Sequence, residues 1–162
     1  MPRATSILDA DHRHGRRIAD TVILDYTQRS SQKTSVTSIN GTAIAIDLPS
    51  PVRLRTDDLL LLDDGSLVEV VAAPELLIEA RAADLPALAR LAWHLGDRHV
   101  PVQVLANRIR VRRDPAIEVL LKSLGAKIVW LEAPFEPEGG AYESAHTHEQ
   151  GHGHHRSHHH DH

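Results

Sequence analysis

The spacing of apolar residues changes near Pro74, and this change separates the chain into two halves. Between Asp20 and Ala73 the apolar and β-branched residues form short runs, TVILDY, SVTSINGTAIAIDL and LLLLDDGSLVEVV, a pattern that favours strands. Asn40-Gly41 and Asp64-Gly65 supply the positive backbone angles of tight hairpin turns, so each pair is expected to join two antiparallel strands. The first half is therefore predicted to be all-β.

The second half alternates strands with two amphipathic helices. In LPALARLAWHLG the apolar residues recur every three to four positions, with Asp84 as the expected N-cap and Gly96 as the expected end. A second helix is predicted to begin with Asp114 as its cap and Pro115 in its first position, and to end at Gly125. Strands are predicted to begin at Leu76, Pro101, Arg108 and Lys127. The order β-α-β-β-α-β predicts a ferredoxin-like fold, in which two helices pack on one face of an antiparallel sheet.

These patterns predict an α+β chain in three parts. An all-β N-terminal domain is expected over residues 1–73, a ferredoxin-like domain over residues 74–135, and a histidine-rich tail over residues 136–162. Pro137, Gly139 and Gly140 lead into the tail, which is therefore expected to be flexible.

The amino-acid composition excludes several kinds of functional site. The chain has no cysteine, so disulfides, thiolate metal sites and cysteine nucleophiles are excluded, and any metal must bind through nitrogen or oxygen. With five aromatic residues other than histidine and only a short basic cluster between Arg13 and Arg17, nucleic acid binding is not expected. The longest apolar run, Leu59 to Leu62, is too short to cross a bilayer, and the N-terminus lacks the apolar core of a signal peptide. We therefore expect a cytoplasmic protein with no membrane partner.

The last seventeen residues, HTHEQGHGHHRSHHHDH, contain nine of the thirteen histidines. Neutral imidazole is the commonest protein ligand for zinc, copper and nickel, and many imidazoles on one segment can wrap an ion in several ways. The candidate metal ligands of this segment are His146, His148, His152, His154, His155, His158, His159, His160 and His162. A purification tag is the alternative, but the longest uninterrupted run is only three residues, His158 to His160.

Four histidines lie before the tail. His12 and His14 belong to a polar N-terminal segment and are expected to be solvated. His94 falls in the last turn of the first predicted helix, where a partly protonated imidazole gains from the helix dipole. His99 follows that helix in the loop GDRHV, where a side chain is presented to its surroundings. One imidazole holds a divalent ion weakly, but a two-fold dimer would bring the same histidine from both subunits.

The segment HLGDRHVPVQ, from His94 to Gln103, resembles the HLGNRHxP motif of the urease accessory protein UreE family, the nickel metallochaperones. The resemblance continues in LLLLDDGSLVEVVAAPE, Leu59 to Glu75, and in SLGAKIVWLEAPFEPEGGAY, Ser123 to Tyr142. It covers most of the chain from about Asp20 onward and includes the histidine-rich C-terminus.

The resemblance implies a fold and a function. It implies an N-terminal domain similar to a peptide-binding module and a ferredoxin-like domain through which the protein forms a homodimer. In that family the final histidine of the motif binds nickel(II) at the dimer interface, and His99 is the matching residue here. Tail histidines would add capacity, and zinc(II) or copper(II) would bind as well. Implied partners are urease and its other accessory proteins, including the GTPase.

The chain departs from the family pattern in two ways, at three positions. Asp97 stands where asparagine is usual, and we favour a role in capping the turn over a role beside the metal. Some members carry two further histidines where this chain has Arg113 and Pro115, so that accessory site is expected to be missing.

Three other functions compete with nickel delivery. A metal storage or buffering protein would need the tail and not His99. An enzyme would need a fixed ligand triad or a nucleophile motif, and the sequence offers no HExxH, GxSxG or phosphate-binding glycine loop. A pure protein-binding module would leave the histidine-rich tail without a role. The missing motifs argue against an enzyme, and the resemblance to the UreE family implies a nickel metallochaperone.

Overall fold

The computed structural model describes residues 1–13 and 15–139. These residues form one mixed sheet, one antiparallel sheet and a few helices. The elements are β1 (Arg3–Leu8), a 3-10 turn (Ala10–His12), β2 (Ile18–Leu24), α1 (Tyr26–Arg29), β3 (Lys33–Thr37), β4 (Ala43–Asp47), β5 (Leu59–Leu62), β6 (Leu67–Ala72), β7 (Pro74–Arg81), α2 (Leu85–Asp97), β8 (Gln103–Val104), β9 (Ile109–Arg112), α3 (Pro115–Ser123) and β10 (Lys127–Pro134). The predicted α+β class is confirmed.

The N-terminal sheet has six strands in the order β2-β6-β5-β1-β4-β3. Antiparallel pairing of β3 with β4 and of β5 with β6 confirms the hairpins predicted at Asn40-Gly41 and Asp64-Gly65. The sheet's buried core is aliphatic and includes Val22, Leu24, Ile44, Ile46, Leu60, Val68 and Val70.

One strand and one α-helix of this half were not predicted. Strand β1 lies inside the sheet between β4 and β5, although RATSIL carries too few apolar residues to stand out in the sequence. Helix α1 is a single turn closed by a capping box, in which the Asp25 carboxylate accepts from the Gln28 backbone and the Gln28 side chain accepts from the Asp25 backbone. A turn this short leaves no apolar periodicity to detect.

The C-terminal sheet is antiparallel throughout, in the order β10-β7-β9-β8, and confirms the ferredoxin-like prediction. Strand β7 begins two residues earlier than expected, at Pro74, whereas β8 is limited to Gln103 and Val104. Residues from α2, α3 and one face of the sheet share a core made of Ile78, Ala80, Leu91, Leu95, Ile109, Val111 and Leu121.

The helix starts match the sequence prediction, and one helix end does not. The Asp84 carboxylate accepts from the Ala87 backbone N–H at 2.8 Å, and the Asp114 carboxylate accepts from Ala116 at 2.8 Å. The prediction that Gly96 ends α2 was wrong, because the helix includes Gly96 and continues to Asp97. No helix in the described part of the chain is long and apolar enough to span a membrane.

The two sheets meet around Arg29, whose side chain is about 1% exposed. Its guanidinium donates to the backbone carbonyls of Leu24 at 3.2 Å, of Leu54 at 3.4 Å, and of Phe135. The Tyr26 ring meets the buried Phe135 ring edge-on at 5.6 Å between centroids. The segment after β10 is therefore fixed to α1 of the N-terminal half.

Candidate functional site

His99 is exposed and has a left-handed backbone conformation, with φ of 56°. Its N–H donates to the Gly96 carbonyl at 3.0 Å, and the N–H of Val100 donates to the Leu95 carbonyl at 3.0 Å. These two bonds form a Schellman motif, in which glycine normally takes the left-handed position because it has no Cβ. His99 therefore occupies a position whose backbone conformation favours glycine.

The cost of this placement is of order 1–2 kcal/mol for a residue with a Cβ. Among the described residues other than glycine, only Asp57 and His99 have positive φ. Strained backbone that persists in a folded protein is concentrated at functional sites. The backbone conformation therefore indicates that His99 belongs to a functional site, and this indication does not depend on the chemistry of its side chain.

His94 lies in the last turn of α2, as the sequence predicted, and is partly buried. Its ring stands perpendicular to that of Trp93, with the centroids 5.1 Å apart. Trp93 is 64% exposed, so α2 presents a large aromatic surface near its C-terminal end. The Arg98 guanidinium donates to the His94 carbonyl at 3.1 Å and helps to close this end of the helix.

The residues that depart from the family pattern lie at the end of α2 and at the start of α3. Asp97 is the exposed last residue of α2, two positions before His99. The Arg113 guanidinium lies 3.8 Å above the Trp130 ring centroid, and Pro115 occupies the first turn of α3. Cation–π stacking and helix initiation account for Arg113 and Pro115 without a metal.

The chain approaches its histidine-rich end next to the strand that follows His99. The Glu138 N–H donates to the Val102 carbonyl at 2.8 Å, three residues after His99. The Glu138 carbonyl in turn accepts from the Arg53 guanidinium at 3.0 Å, and the Glu136 N–H donates to the Gln103 side chain at 3.3 Å. These bonds fix where the tail starts.

The predicted tail ligands lie outside the described residues: His146, His148, His152, His154, His155, His158, His159, His160 and His162. His146 lies eight positions after Glu138, and a fully extended chain of that length spans at most about 28 Å. Val102 and His99 are three residues apart, at most about 11 Å. The tail histidines therefore begin within chain reach of His99.

His99 has no ready-made set of ligands around it within residues 1–13 and 15–139. In this part of the chain no three histidine, aspartate or glutamate side chains form a group that could hold a metal ion. His12 lies in the 3-10 turn of the N-terminal half, and His14 is outside the described residues.

Sequence reasoning missed two features of this region. The left-handed backbone of His99 was not predicted. Glycine is the residue expected to end a helix, so the helix end was placed at Gly96, three residues earlier. The apolar Val100, which packs with Leu95 in the core, was the available signal, since a Schellman motif places an apolar residue directly after its left-handed position. The contact between Glu138 and Val102 joins distant segments and leaves no local signal.

Comparison with known proteins follows the division between the two sheets. Residues 4–73 match the family model of the UreE urease accessory protein N-terminal domain, and residues 75–162 match that of its C-terminal domain. A urease accessory protein UreE from Bradyrhizobium sp. strain BTAi1 is 50% identical over 151 residues, which cover 93% of this chain and 72% of that protein. The protein of the same name from Rhodopseudomonas palustris strain BisB18 is 51% identical over 152 residues, covering 91% and 72% respectively.

A third relative is matched over almost its whole length. The urease accessory protein UreE of Chelativorans sp. strain BNC1 is 44% identical over 155 residues, which cover 93% of this chain and 96% of that protein. Both family models and these relatives agree, so the chain belongs to the UreE family of urease accessory proteins.

Proposed function

We propose that this protein is a nickel metallochaperone that binds Ni(II) through His99 and the tail histidines and delivers it for assembly of the urease metallocentre. Membership of the urease accessory family supports the pathway. The main support for the site is that His99 is exposed and has a left-handed backbone conformation. The start of the tail is hydrogen-bonded to Val102, three residues after His99. The ion is cargo, so the site must release it as well as hold it.

A second subunit would complete the site. A two-fold axis near the end of α2 brings His99 from both chains to one ion, and tail imidazoles such as His146 and His148 supply further ligands. The exposed Trp93 offers apolar surface for that homodimer contact. Two imidazoles and exchangeable tail ligands give a site that binds divalent ions while leaving a route for transfer.

The donor set accounts for which ions compete. Imidazole nitrogen suits nickel(II), and without thiolates the site avoids tight binding of copper(I). Copper(II) and zinc(II) bind as well, since copper(II) exceeds nickel(II) at almost any nitrogen site. Protons compete with the metal below the ordinary imidazole pKa of about 6.5.

The remaining parts of the proposal concern organisation and partners. An N-terminal part over residues 1–73 resembles a peptide-binding module, residues 74–135 hold the metal site and the dimer contact, and residues 136–162 recruit ions. The protein acts in the cytoplasm without enzymatic activity of its own, and urease together with its other accessory proteins, including the GTPase, receives the nickel.

Storage or buffering by the tail is the alternative, and the nine histidines after residue 145 favour it. Urease activity in cells grown at limiting nickel separates the two functions. We compare the full chain, a version ending at Tyr142, and His99→Asn in each background. Asparagine is chosen because it tolerates the left-handed conformation but does not offer an imidazole.

Delivery through His99 predicts that the version ending at Tyr142 retains most of the urease activation and that His99→Asn removes it. If truncation alone removes all activation and His99→Asn has no effect in either background, the tail is a buffer and His99 is not the delivery site.

A further inference from the structure

The C-terminal sheet has one face covered by α2 and α3 and a second face that carries arginines. Ile109 and Val111 of β9 point toward the helices, where they join the core. Side chains alternate along a strand, so Arg108, Arg110 and Arg112 lie on the opposite face. Their neighbours on β7 are Leu77 and Glu79, which pair with Arg112 and Arg110.

One buried carboxylate organises this face. Glu79 is 6% exposed, and one of its oxygens accepts from Arg108 at 2.6 Å and from Arg110 at 3.2 Å. Its other oxygen accepts from Arg81 at 3.2 Å. Burial alone would raise the pKa of Glu79, but the hydrogen bonds from the three arginines hold it below its ordinary value. The carboxylate is therefore charged at neutral pH and keeps the guanidinium groups in fixed positions.

The arginines outnumber the carboxylate that holds them. Three guanidinium groups share the single charge of Glu79, and Lys127 of β10 pairs with Arg81 at the end of β7. The whole chain has a formal charge of −4, so this positive surface has the opposite sign to the net charge of the protein. The side chains of Arg81 and Arg108 remain 52% and 30% exposed.

The end of this face nearest α1 is already covered. The Arg112 guanidinium lies 4.6 Å from the Tyr26 ring centroid and donates to the Thr27 hydroxyl at 3.3 Å. Beside Glu79, across the pairing with β10, Val129 is 52% exposed. The open part of the surface is therefore a set of fixed guanidinium groups bordered by an apolar side chain.

We propose that this arginine face, formed by Arg81, Arg108, Arg110, Lys127 and Val129, docks a carboxylate-rich segment of a partner protein. Guanidinium groups match carboxylates with paired hydrogen bonds, and those of Arg81, Arg108 and Arg110 are already ordered by Glu79, so little side-chain freedom is lost on binding. Val129 gives the contact an apolar part, as protein interfaces have.

Nucleic acid fits this surface less well. The Tyr26 ring at the covered end of this face already has the Arg112 guanidinium over it, so that side of the ring is not open to a base. The open part of the surface, formed by Arg81, Arg108, Arg110, Lys127 and Val129, has no aromatic side chain on which a base could stack.

The surface is separate from the proposed nickel site. Arg81 and Lys127 pair at one end of β7 and β10, while Pro74 and Pro134 pair at the other end. Phe135 and Glu138, which lead toward the tail, follow the second end. A test without metal therefore examines the docking surface independently of nickel delivery.

Fluorescence anisotropy with a labelled peptide of alternating glutamate and valine tests the proposal on the full chain. The buffer is at pH 8 and contains a chelator, so the tail imidazoles are neutral and free of metal. The variants are Arg81→Gln with Lys127→Gln, and Lys127→Gln alone. Arg90→Gln is the matched control, because Arg90 is an exposed arginine on α2 and away from the arginine face.

We expect each lost charge to weaken peptide binding about threefold and the pair about tenfold, with Arg90→Gln unchanged. Added salt should weaken binding to the full chain more than to the double variant. Lys127 is not among the residues that bond to Glu79. The effect of Lys127→Gln on peptide binding can therefore be interpreted even if the double variant is unstable. Absence of peptide binding, equal loss in Arg90→Gln, or tighter binding of a duplex DNA of similar charge would overturn the proposal.

Discussion

Replacing Arg29 with methionine tests the role of the buried guanidinium at the junction of the two sheets. Methionine keeps the length and the apolar stem of the side chain and removes the charge and its donors. Burial lowers the pKa of Arg29, and the carboxylates of Glu136 and Glu75 oppose that shift, each at 3.9 Å. The guanidinium stays protonated, because arginine does not lose its proton in proteins.

The expected cost follows from the groups left behind. The Leu24 carbonyl keeps a second donor, the Ala73 N–H at 2.8 Å, whereas the buried carbonyls of Leu54 and Phe135 lose the donor that Arg29 supplies. Each buried acceptor without a donor costs about 1–3 kcal/mol.

The two carboxylates also lose their counter-charge, although each retains a backbone donor. Glu75 accepts from the Tyr26 N–H at 3.0 Å, and Glu136 accepts from the Thr56 N–H at 2.8 Å. These bonds limit the additional loss, so the total free-energy cost is about 3–5 kcal/mol, typical of breaking a buried charge network. That amount is a large part of the roughly 5–15 kcal/mol by which domains are stable.

Urea unfolding followed by circular dichroism measures this cost as a lower transition midpoint for Arg29→Met. The control is Arg90→Met, an exposed arginine on α2 whose replacement should change the unfolding free energy by less than about 0.5 kcal/mol. A loss below about 1 kcal/mol for Arg29→Met would refute the argument, since the orphaned carbonyls would then have found water or other donors.

Three further substitutions have expected outcomes in the same assay. Glu79→Gln should lower the free energy of unfolding by about 2 kcal/mol at pH 7, a moderate loss because the arginines are only partly buried. The pKa of Glu79 is lowered in the folded chain, so this stability is present above pH 4.5 and is lost as the pH falls through the folded-state pKa; the difference from the unmodified chain should therefore shrink on acidification below pH 4.5. Gly65→Ala should cost about 1 kcal/mol, because the turn requires φ of 84°. Gly96→Ala should instead raise the free energy of unfolding by up to about 1 kcal/mol, since Gly96 is helical and a Cβ there meets nothing within 4 Å.

Local sequence signals predicted the elements whose chemistry is local. The Asp-Gly and Asn-Gly turns, the Asp caps and the two apolar stripes identified the hairpins and helices, because each depends on residues within a few positions of one another. Strand β1 escaped prediction because its place between β4 and β5 depends on pairing with residues about 40 to 60 positions away.

The site was only partly visible in the sequence. The family motif identified His99 as the candidate ligand, but its left-handed conformation depends on how α2 ends. The hydrogen bond between Glu138 and Val102 and the contacts of Arg29 join distant segments, and no spacing rule anticipates them. Long-range packing therefore supplies the geometry that turns a motif into a proposed site.

The most direct measurement is nickel titration by calorimetry on the chain ending at Tyr142, with and without His99→Asn, combined with sedimentation analysis of the subunit number. An interfacial site predicts about one tight nickel ion per two chains in a dimer, and loss of that ion in His99→Asn while the fold is retained. One ion bound per chain in a monomer, or equal nickel affinity in His99→Asn, would contradict the account.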